Sequence, residues 1–335
     1  MINSGTATQL LKNLYGIDAN LTRLYGELDD NFLAVTPGGE KRVLKIMHVG
    51  CDPQRVDLQT SAMAHLADAD LELALPQPVA TTAGEAYIEC DVGGRQRLVW
   101  LLSYCRGILL EDVTPQTDEL IRSFGRAMAV LDLGLSSFTH PAAKQAHKWE
   151  LTRAAAIRPF VQYLDSNSAS RIDTVFERFE RATFGKLEHL PHSVIHNDAN
   201  SGNVLVNTGN DGRPVVDGLI DFGDMTYQPT ICEAAIALAY VVIDKDDPLQ
   251  ACAAFLEAYS ELHALNSEEI AILFDLISTR LAVSVAIAAE RRHEDPEDEL
   301  GRQDREPTMR ALSRLDRISP EEAEIRFRHA CNLRE

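Results

Sequence analysis

The sequence predicts an α+β chain in two parts: a small β-rich N-terminal lobe, and a larger helical C-terminal lobe with a hairpin embedded in it. Three observations carry this reading. Short β-branched and aromatic runs broken by Gly-rich turns dominate as far as Cys105. From Asp112 onward apolar residues recur at helical spacing. Between residues 193 and 221 two strand-like runs around a strong turn signal interrupt that helical pattern.

In chain order, residues 6–15 read as a short amphipathic helix. "NFLAVT" and "RVLKIMHV" are strand runs joined by the turn "PGGE". A helix follows, with Asp52 as N-cap and Pro53 at its first position. Val56, Met63 and Ala67 share one face of it, with Gln59 between them. "AYIECD" and "QRLVWLLSYC" read as a hairpin around Gly93-Gly94. The expected N-terminal lobe is therefore residues 1–105 and the C-terminal lobe residues 106–335. In the latter, "TDELIRSFGRAMAVLDLGL" is an amphipathic helix. Further helices are expected over 142–164, 168–190, 230–243, 247–264, 267–293 and 306–316, with "RRHEDPEDEL" (291–300) as a charged loop.

Lys and Arg number 32 against 51 Asp and Glu, a net charge of −19. That balance argues against a nucleic-acid binder, which would show a basic patch or excess. The six cysteines are widely spaced, without a CxxC pair or metal-ligand spacing, and read as reduced thiols of a cytoplasmic protein. The N-terminus lacks a signal-peptide pattern. "AAIALAYVVI" (234–243) is too short to span a bilayer and reads as a core helix. Neither a membrane nor a nucleic acid is an expected partner.

"SVIHNDANSGNVLV" (193–206) sets His196, Asn197, Asp198, Asn200 and Asn203 between two apolar runs. Taken alone, the cluster reads equally as a polar surface turn. Its continuation, "NVLVNTGNDGRPVVDGLIDFGD", changes that. A hairpin folded about Gly212 brings position 203 opposite position 221. Asn203, Asp221 and Asp198 then gather their side-chain oxygens at one end of a rigid ribbon. Mg²⁺ takes hard oxygen ligands of this kind, completed by phosphates and water. A base Asp beside an Asn and an Asp on the metal is a phosphoryl-transfer arrangement.

"HNDANSGN" resembles the H-x-D-x-x-x-x-N loop of the aminoglycoside phosphotransferase and choline kinase-like family, and "LIDFGD" resembles its metal-binding Asp motif. "YGELDDNFLAVTPGGEKRVLKI", "DLQTSAMAHL", "ICEAAIALAYVVI" and "RLAVSVAIAAERR" are similar to the branch that includes hydroxylysine kinases and kinase-like domains fused to class III aminotransferases. The resemblance implies a two-lobed protein kinase-like fold.

Carried onto this sequence, it implies Asp198 as general base, Asn203 and Asp221 as magnesium ligands, and a structural role for His196. Lys45, mid-strand among apolar residues in "VLKIM", would meet the nucleotide phosphates. Where the family places a Glu to pair with this Lys, the chain has Gln59, whose amide oxygen could bond Lys45. The loop "GELDDN" (26–31) would cover the phosphates with backbone amides and Asn31. The backbone of Ser103, Tyr104 and Cys105, in the inter-lobe link, would meet the base. Asp224 and Glu233, with Asp132 and Glu290, are candidates for a substrate ammonium, and Arg291 and Arg292 for a carboxylate. The four acids read more readily as surface acids or helix caps, and the two arginines equally as helix-dipole partners.

The expected activity is Mg²⁺-dependent phosphorylation, by ATP or GTP, of a hydroxyl on a small amino-bearing metabolite, with a hydroxylysine-type amino acid favoured. An aminoglycoside or homoserine-type kinase is the enzymatic alternative. A non-catalytic nucleotide-binding protein is the other; the intact set Lys45, Asp198, Asn203 and Asp221 argues against it.

Overall fold

A computed structural model describes residues 1–69, 71–297 and 305–333, apart from the side chain of Arg305. The chain falls into two compact units, Met1–Arg106 and Gly107–Glu335.

The first unit opens with α1 (Ser4–Tyr15), capped by Asn3, whose side chain accepts from the Thr6 N–H, and closed by Gly16 in the left-handed region at φ 67°. Strands β1 (Asn20–Leu24), β2 (Asp30–Val35) and β3 (Lys41–Ile46) form an antiparallel meander. The helix α2 (Pro53–Asp68) starts as its sequence dictates, with Asp52 accepting from the Gln54 N–H and Pro53 in the first turn. After β4 (Pro78–Val79), the strands β5 (Tyr87–Asp91) and β6 (Gln96–Ser103) make the hairpin around Gly93 and Gly94, both at positive φ. The sheet order is β1-β2-β3-β6-β4, with β5 also on β6. Alternation along β2 turns Phe32 and Ala34 inward, where they pack with Ala7 and Leu11 of α1 and with Leu44, Ile46, Val99 and Leu101. Asp30 shares that inward face, and its burial is matched by Arg97 at 2.8 Å and Arg23 at 2.8 Å.

In the second unit, β7 (Ile108–Leu109) leads through a 3₁₀ turn to α3 (Asp118–Leu135). The single helix expected over 142–164 is instead three 3₁₀ segments, Pro141–Lys144, Leu151–Ala156 and Arg158–Tyr163. Pro159 is one reason: in an α-helix it would lose its bond and press its ring on the residue 155 carbonyl. The span 168–190 is likewise divided, into α4 (Ser166–Arg178), a π turn (Phe179–Thr183) and α5 (Phe184–Leu187). Strands β8 (His192–Ile195), β9 (Val204–Thr208), β10 (Pro214–Leu219) and β11 (Thr226–Pro229) follow. They form two small sheets, β10-β9-β7 and β11-β8.

Helices complete the unit: α6 (Ile231–Val241), α7 (Pro248–Leu262), α8 (Ser267–Glu294), α9 (Arg305–Leu315) and α10 (Pro320–Ala330). The last was not expected, although Ser319 and Pro320 are a start signal, and the Ser319 hydroxyl accepts from the Glu322 N–H. α8 begins with a capping box between Asn266 and Glu269. It is long and apolar enough to cross a membrane by length and composition, yet 89% of its most apolar window is buried inside the protein, as in a core helix. The charged loop expected at 291–300 is helical as far as Glu294, and residues 298–300 lie outside those described. All six cysteines are unpaired.

Candidate active site

The polar loop 196–203 joins β8 to β9, and β10 ends beside it. Val204 pairs with Leu219, and one step out the Ile220 N–H donates to the Asn203 carbonyl at 2.9 Å. Asn203 and Asp221 are thereby brought to the same end of the ribbon. A β-bulge between Val216 and Gly218 shifts the register from the simple count about Gly212.

His196 is fully buried. Its Nε2–H donates to the Ile220 carbonyl at 3.1 Å, which leaves Nδ1 to accept from the Asp198 N–H at 3.3 Å. One neutral tautomer thus ties the loop to the strand end. Burial pushes the ring's pKa down to about 4 against the attraction of Asp221. Asn197 is held at φ 68°, in the left-handed region. Its N–H donates to Glu233 Oε2 (3.0 Å), its Nδ2 to the Asp224 carbonyl (3.0 Å), and its Oδ1 accepts from Gln228 Nε2 (2.6 Å).

These bonds fix Asp198. Its Oδ2 accepts from Asn203 Nδ2 (2.7 Å) and Asn200 Nδ2 (3.0 Å), and its Oδ1 from Arg280 Nη2 (3.2 Å). The carboxylate is immobilised, while 22% of the side chain remains exposed. Burial pushes it up to about 8, Asp224 and Asp221 add to the rise, and Arg280 and Asn200 oppose it. Arg280 is buried against the faces of Trp149 and Tyr240, 4.8 and 5.9 Å from the ring centroids. It also donates to the Trp149 carbonyl at 3.3 Å.

Asn203 gives its amide hydrogens to the carbonyl and the carboxylate of Asp198, at 2.9 and 2.7 Å, which leaves its Oδ1 to serve as a ligand. Asp221 sits at φ 63°, and its carboxylate accepts from the Gly223 N–H at 3.3 Å. The donor set suits a divalent cation that keeps phosphate and water ligands: two hard oxygens, with the Asp198 and Asp224 carboxylates close enough to act on one another. Among the described residues no cluster of three His, Cys, Asp or Glu forms an all-protein metal cage.

In the first unit, Lys45 is buried, with Nζ 5.7 Å from the Trp100 ring centroid. Gln59 lies on the inward face of α2, but it does not bond Lys45 as expected. Its Nε2 donates to the Arg55 carbonyl one turn back, and its buried Oε1 has no hydrogen-bond partner among the described residues. Asn31 pairs in register with Lys45, and its Nδ2 closes the loop by donating to the Tyr25 carbonyl at 3.2 Å. Gly26 makes that closure possible, because a Cβ there would stand 2.4 Å from the Asp29 carbonyl oxygen. The Ser103 N–H donates to the Gln77 carbonyl, Tyr104 lies 4.9 Å beneath the Lys41 ammonium, and Cys105 is half-buried.

The candidate substrate acids separate. Asp224 is 28% exposed, with Oδ1 3.4 Å from His147 Nε2. Glu233 is fully buried and accepts the Asn197 N–H, so it supports the loop and is not placed to meet a substrate ammonium. Asp132 is equally buried, accepting from the Tyr259 hydroxyl, and Glu290 accepts from Lys148 at 2.9 Å. Arg291 and Arg292 fall in the last turn of α8, where they complement its dipole. That turn is about 16 Å along the helix axis from Arg280.

Arg280 is the site residue that sequence reasoning missed. Its signal is visible: a lone charge inside "LISTRLAVSVAIAA" is the same anomaly that singled out Lys45.

The model of the APH phosphotransferase enzyme family matches residues 21–265, and the chain belongs to that family. Hydroxylysine kinase of Danio rerio is 28% identical over 339 residues, covering 97% of this chain and 95% of the relative. That of Mus musculus is 26% identical over 307 residues, covering 84% and 81%. Among solved structures, a microcompartment-associated aminopropanol kinase superposes with a TM-score of 0.69 at 18% identity, covering 99% of both chains. The amicoumacin kinase hAmiN, in complex with AMP-PNP, Ca²⁺ and Ami, gives 0.67 at 16%, covering 96% of this chain and 93% of that one. The chain is a small-molecule kinase, a phosphotransferase with an alcohol group as acceptor.

Proposed function

We propose that the chain transfers the γ-phosphate of ATP or GTP, with Mg²⁺, to the hydroxyl of a small hydroxylated amino acid, 5-hydroxylysine before others, in the cytoplasm. The observation that carries the chemistry is the held carboxylate of Asp198, whose two oxygens take three donors while its edge stays exposed. Asp198 orients the acceptor hydroxyl and takes up its proton as the new O–P bond forms and the γ-phosphorus breaks its bond to the departing nucleoside diphosphate. Arg280 holds the base in place and offsets its charge. Asn203 and Asp221 hold the metal, which when bound neutralises charge on the transferred phosphoryl group. Lys45 pairs with the nucleotide phosphates, the loop 26–31 covers them, and the backbone of Ser103, Tyr104 and Cys105 meets the base. Asp224, half-buried at the same end of the ribbon, receives the acceptor's ammonium. Support for the acceptor comes from the hydroxylysine kinases, which match over nearly the whole length of this chain.

The test is a turnover screen of the purified chain with Mg²⁺ and either nucleotide, following nucleoside diphosphate release. The acceptors are 5-hydroxylysine, homoserine, 1-amino-2-propanol and kanamycin. A desolvated ammonium–carboxylate contact discriminates by about 2–5 kcal/mol. 5-Hydroxylysine should therefore exceed an uncharged alcohol of similar size by more than tenfold in kcat/KM. Turnover of kanamycin with none of the hydroxy amino acids would overturn the reading.

A further inference from the structure

Beneath the loop 196–203, two acids are buried, neither of them in an ion pair among the described residues. Asp132 on α3 and Glu233 on α6 are both fully inaccessible to solvent. Each uses one oxygen. Asp132 Oδ2 accepts from the Tyr259 hydroxyl at 2.6 Å, and Glu233 Oε2 accepts from the Asn197 N–H at 3.0 Å. The other two oxygens, Asp132 Oδ1 and Glu233 Oε1, have no hydrogen-bond partner among the described residues. Two ionised carboxylates with orphaned oxygens, both buried, would be strongly unfavourable. A single proton between them removes the like-charge repulsion and satisfies both oxygens.

The other groups facing the pair complete the electrostatics. Tyr259 lies on α7 and its ring neighbour His263 caps that helix; Glu269 and Arg280 lie on α8, and Cys232 beside Glu233 on α6. Arg280 favours ionised Glu233, while the groups acting on Asp132 are Glu233 and the Tyr259 hydroxyl. Burial and Glu233 both push the Asp132 carboxyl well above the usual range. Glu233, raised by burial to about 7, is drawn back by the Asn197 and His196 N–H groups and by Arg280.

We propose that Asp132 is a positioning residue that keeps its proton and donates it to Glu233, so that Glu233 can hold the backbone of His196 and Asn197. The consequence reaches Asp198 through the chain, since Asn197 is the left-handed residue immediately before it. The proposed chain runs Tyr259, Asp132, Glu233, Asn197, Asp198; its Asp132–Glu233 link is inferred from the two orphaned oxygens and the action of Glu233 on Asp132.

Two substitutions test this. Asp132→Asn is isosteric with the protonated acid: its amide donates to Glu233, its oxygen accepts from Tyr259, and it cannot ionise. Asp132→Leu removes the donor. Above about pH 4 the unfolded chain releases the Asp132 proton while the folded chain retains it, so the wild type loses stability as pH rises and Asp132→Asn does not. The melting temperature of Asp132→Asn, relative to wild type, should therefore climb by roughly 4 °C or more between pH 5 and pH 8. Asp132→Leu should lower kcat at least tenfold with the KM for nucleotide within about twofold, and Asp132→Asn should restore most of that loss. The kcat comparison rests on Asp198 being the residue that orients the hydroxyl, whereas the melting series needs no acceptor. A melting difference that is flat or falls with pH would overturn the shared proton. A Leu variant with wild-type kcat would overturn the positioning role.

Discussion

At the scale of single residues, the site turns on which atoms are left to react. Three side chains donate to the Asp198 carboxylate, so the residue is set up to accept. Asp198→Asn puts an NH₂ among those donors and removes the charge, and kcat should fall by about 10²–10⁴; a single-turnover assay with saturating nucleotide measures it. His196 makes a second, pH-dependent prediction. Its Nδ1 must stay unprotonated to accept the Asp198 N–H, and its pKa lies near 4 instead of the ordinary 6.5. Between those values the unfolded chain binds the proton and the folded chain does not. Stability that is whole above pH 6.5 is therefore lost as pH falls toward 4. His196→Gln should be less stable at pH 7, because bonds are lost, but its deficit should shrink by about 3 kcal/mol by pH 4. Denaturant melts of both proteins across that range give the comparison, and a constant deficit would contradict a buried neutral ring.

At the scale of elements, α3 and α7 meet closely enough to set the position of everything α3 carries, Asp132 included. Gly125 is the contact point: a Cβ there would stand 2.1 Å from the Phe255 carbonyl oxygen, and Phe124 meets the Phe255 ring edge-on at 5.4 Å between centroids. Because the obstructing atom is backbone, no rotamer change relieves it. Gly125→Ala should destabilise by roughly 1–3 kcal/mol despite the better helix propensity of alanine. Gly185→Ala in α5 meets nothing within 4 Å and should be neutral, or stabilise by up to about 1 kcal/mol. Equal effects in a melting comparison would mean that the α3–α7 contact is not limiting. Elements also show where sequence is legible. The hairpin and the start of α2 depend on local chemistry, and the residues named them. The span 142–164 did not yield to the same reading. Apolar spacing there matched a helix, but Pro159 and tertiary packing settled on 3₁₀ turns.

At the scale of the whole molecule, the candidate site residues were legible because they are close in sequence and chemically unusual. Asp198, Asn203 and Asp221 lie within one hairpin, and their convergence follows from a turn. The support for them was hidden, because Glu233 and Arg280 reach the loop from two separate helices, α6 and α8. A single sequence shows a buried charge as an anomaly without naming its partner. Charge provides the last prediction. The chain carries a net −19, and three of its carboxylates, on Asp198, Asp221 and Asp224, act on one another at the site. Added salt of any kind should raise the melting temperature by screening the general repulsion. Mg²⁺ should do more, because a cation bound to the folded state alone stabilises it by mass action, about 2.7 kcal/mol at a hundredfold excess over Kd. At matched ionic strength, MgCl₂ should therefore raise the wild-type melting temperature several degrees beyond NaCl. In Asp221→Ala the excess should vanish while the NaCl response is retained, since only the ligand is lost and not the overall charge. If the variant keeps the full Mg²⁺ excess, the cation binds elsewhere and the roles of Asn203 and Asp221 fall with it.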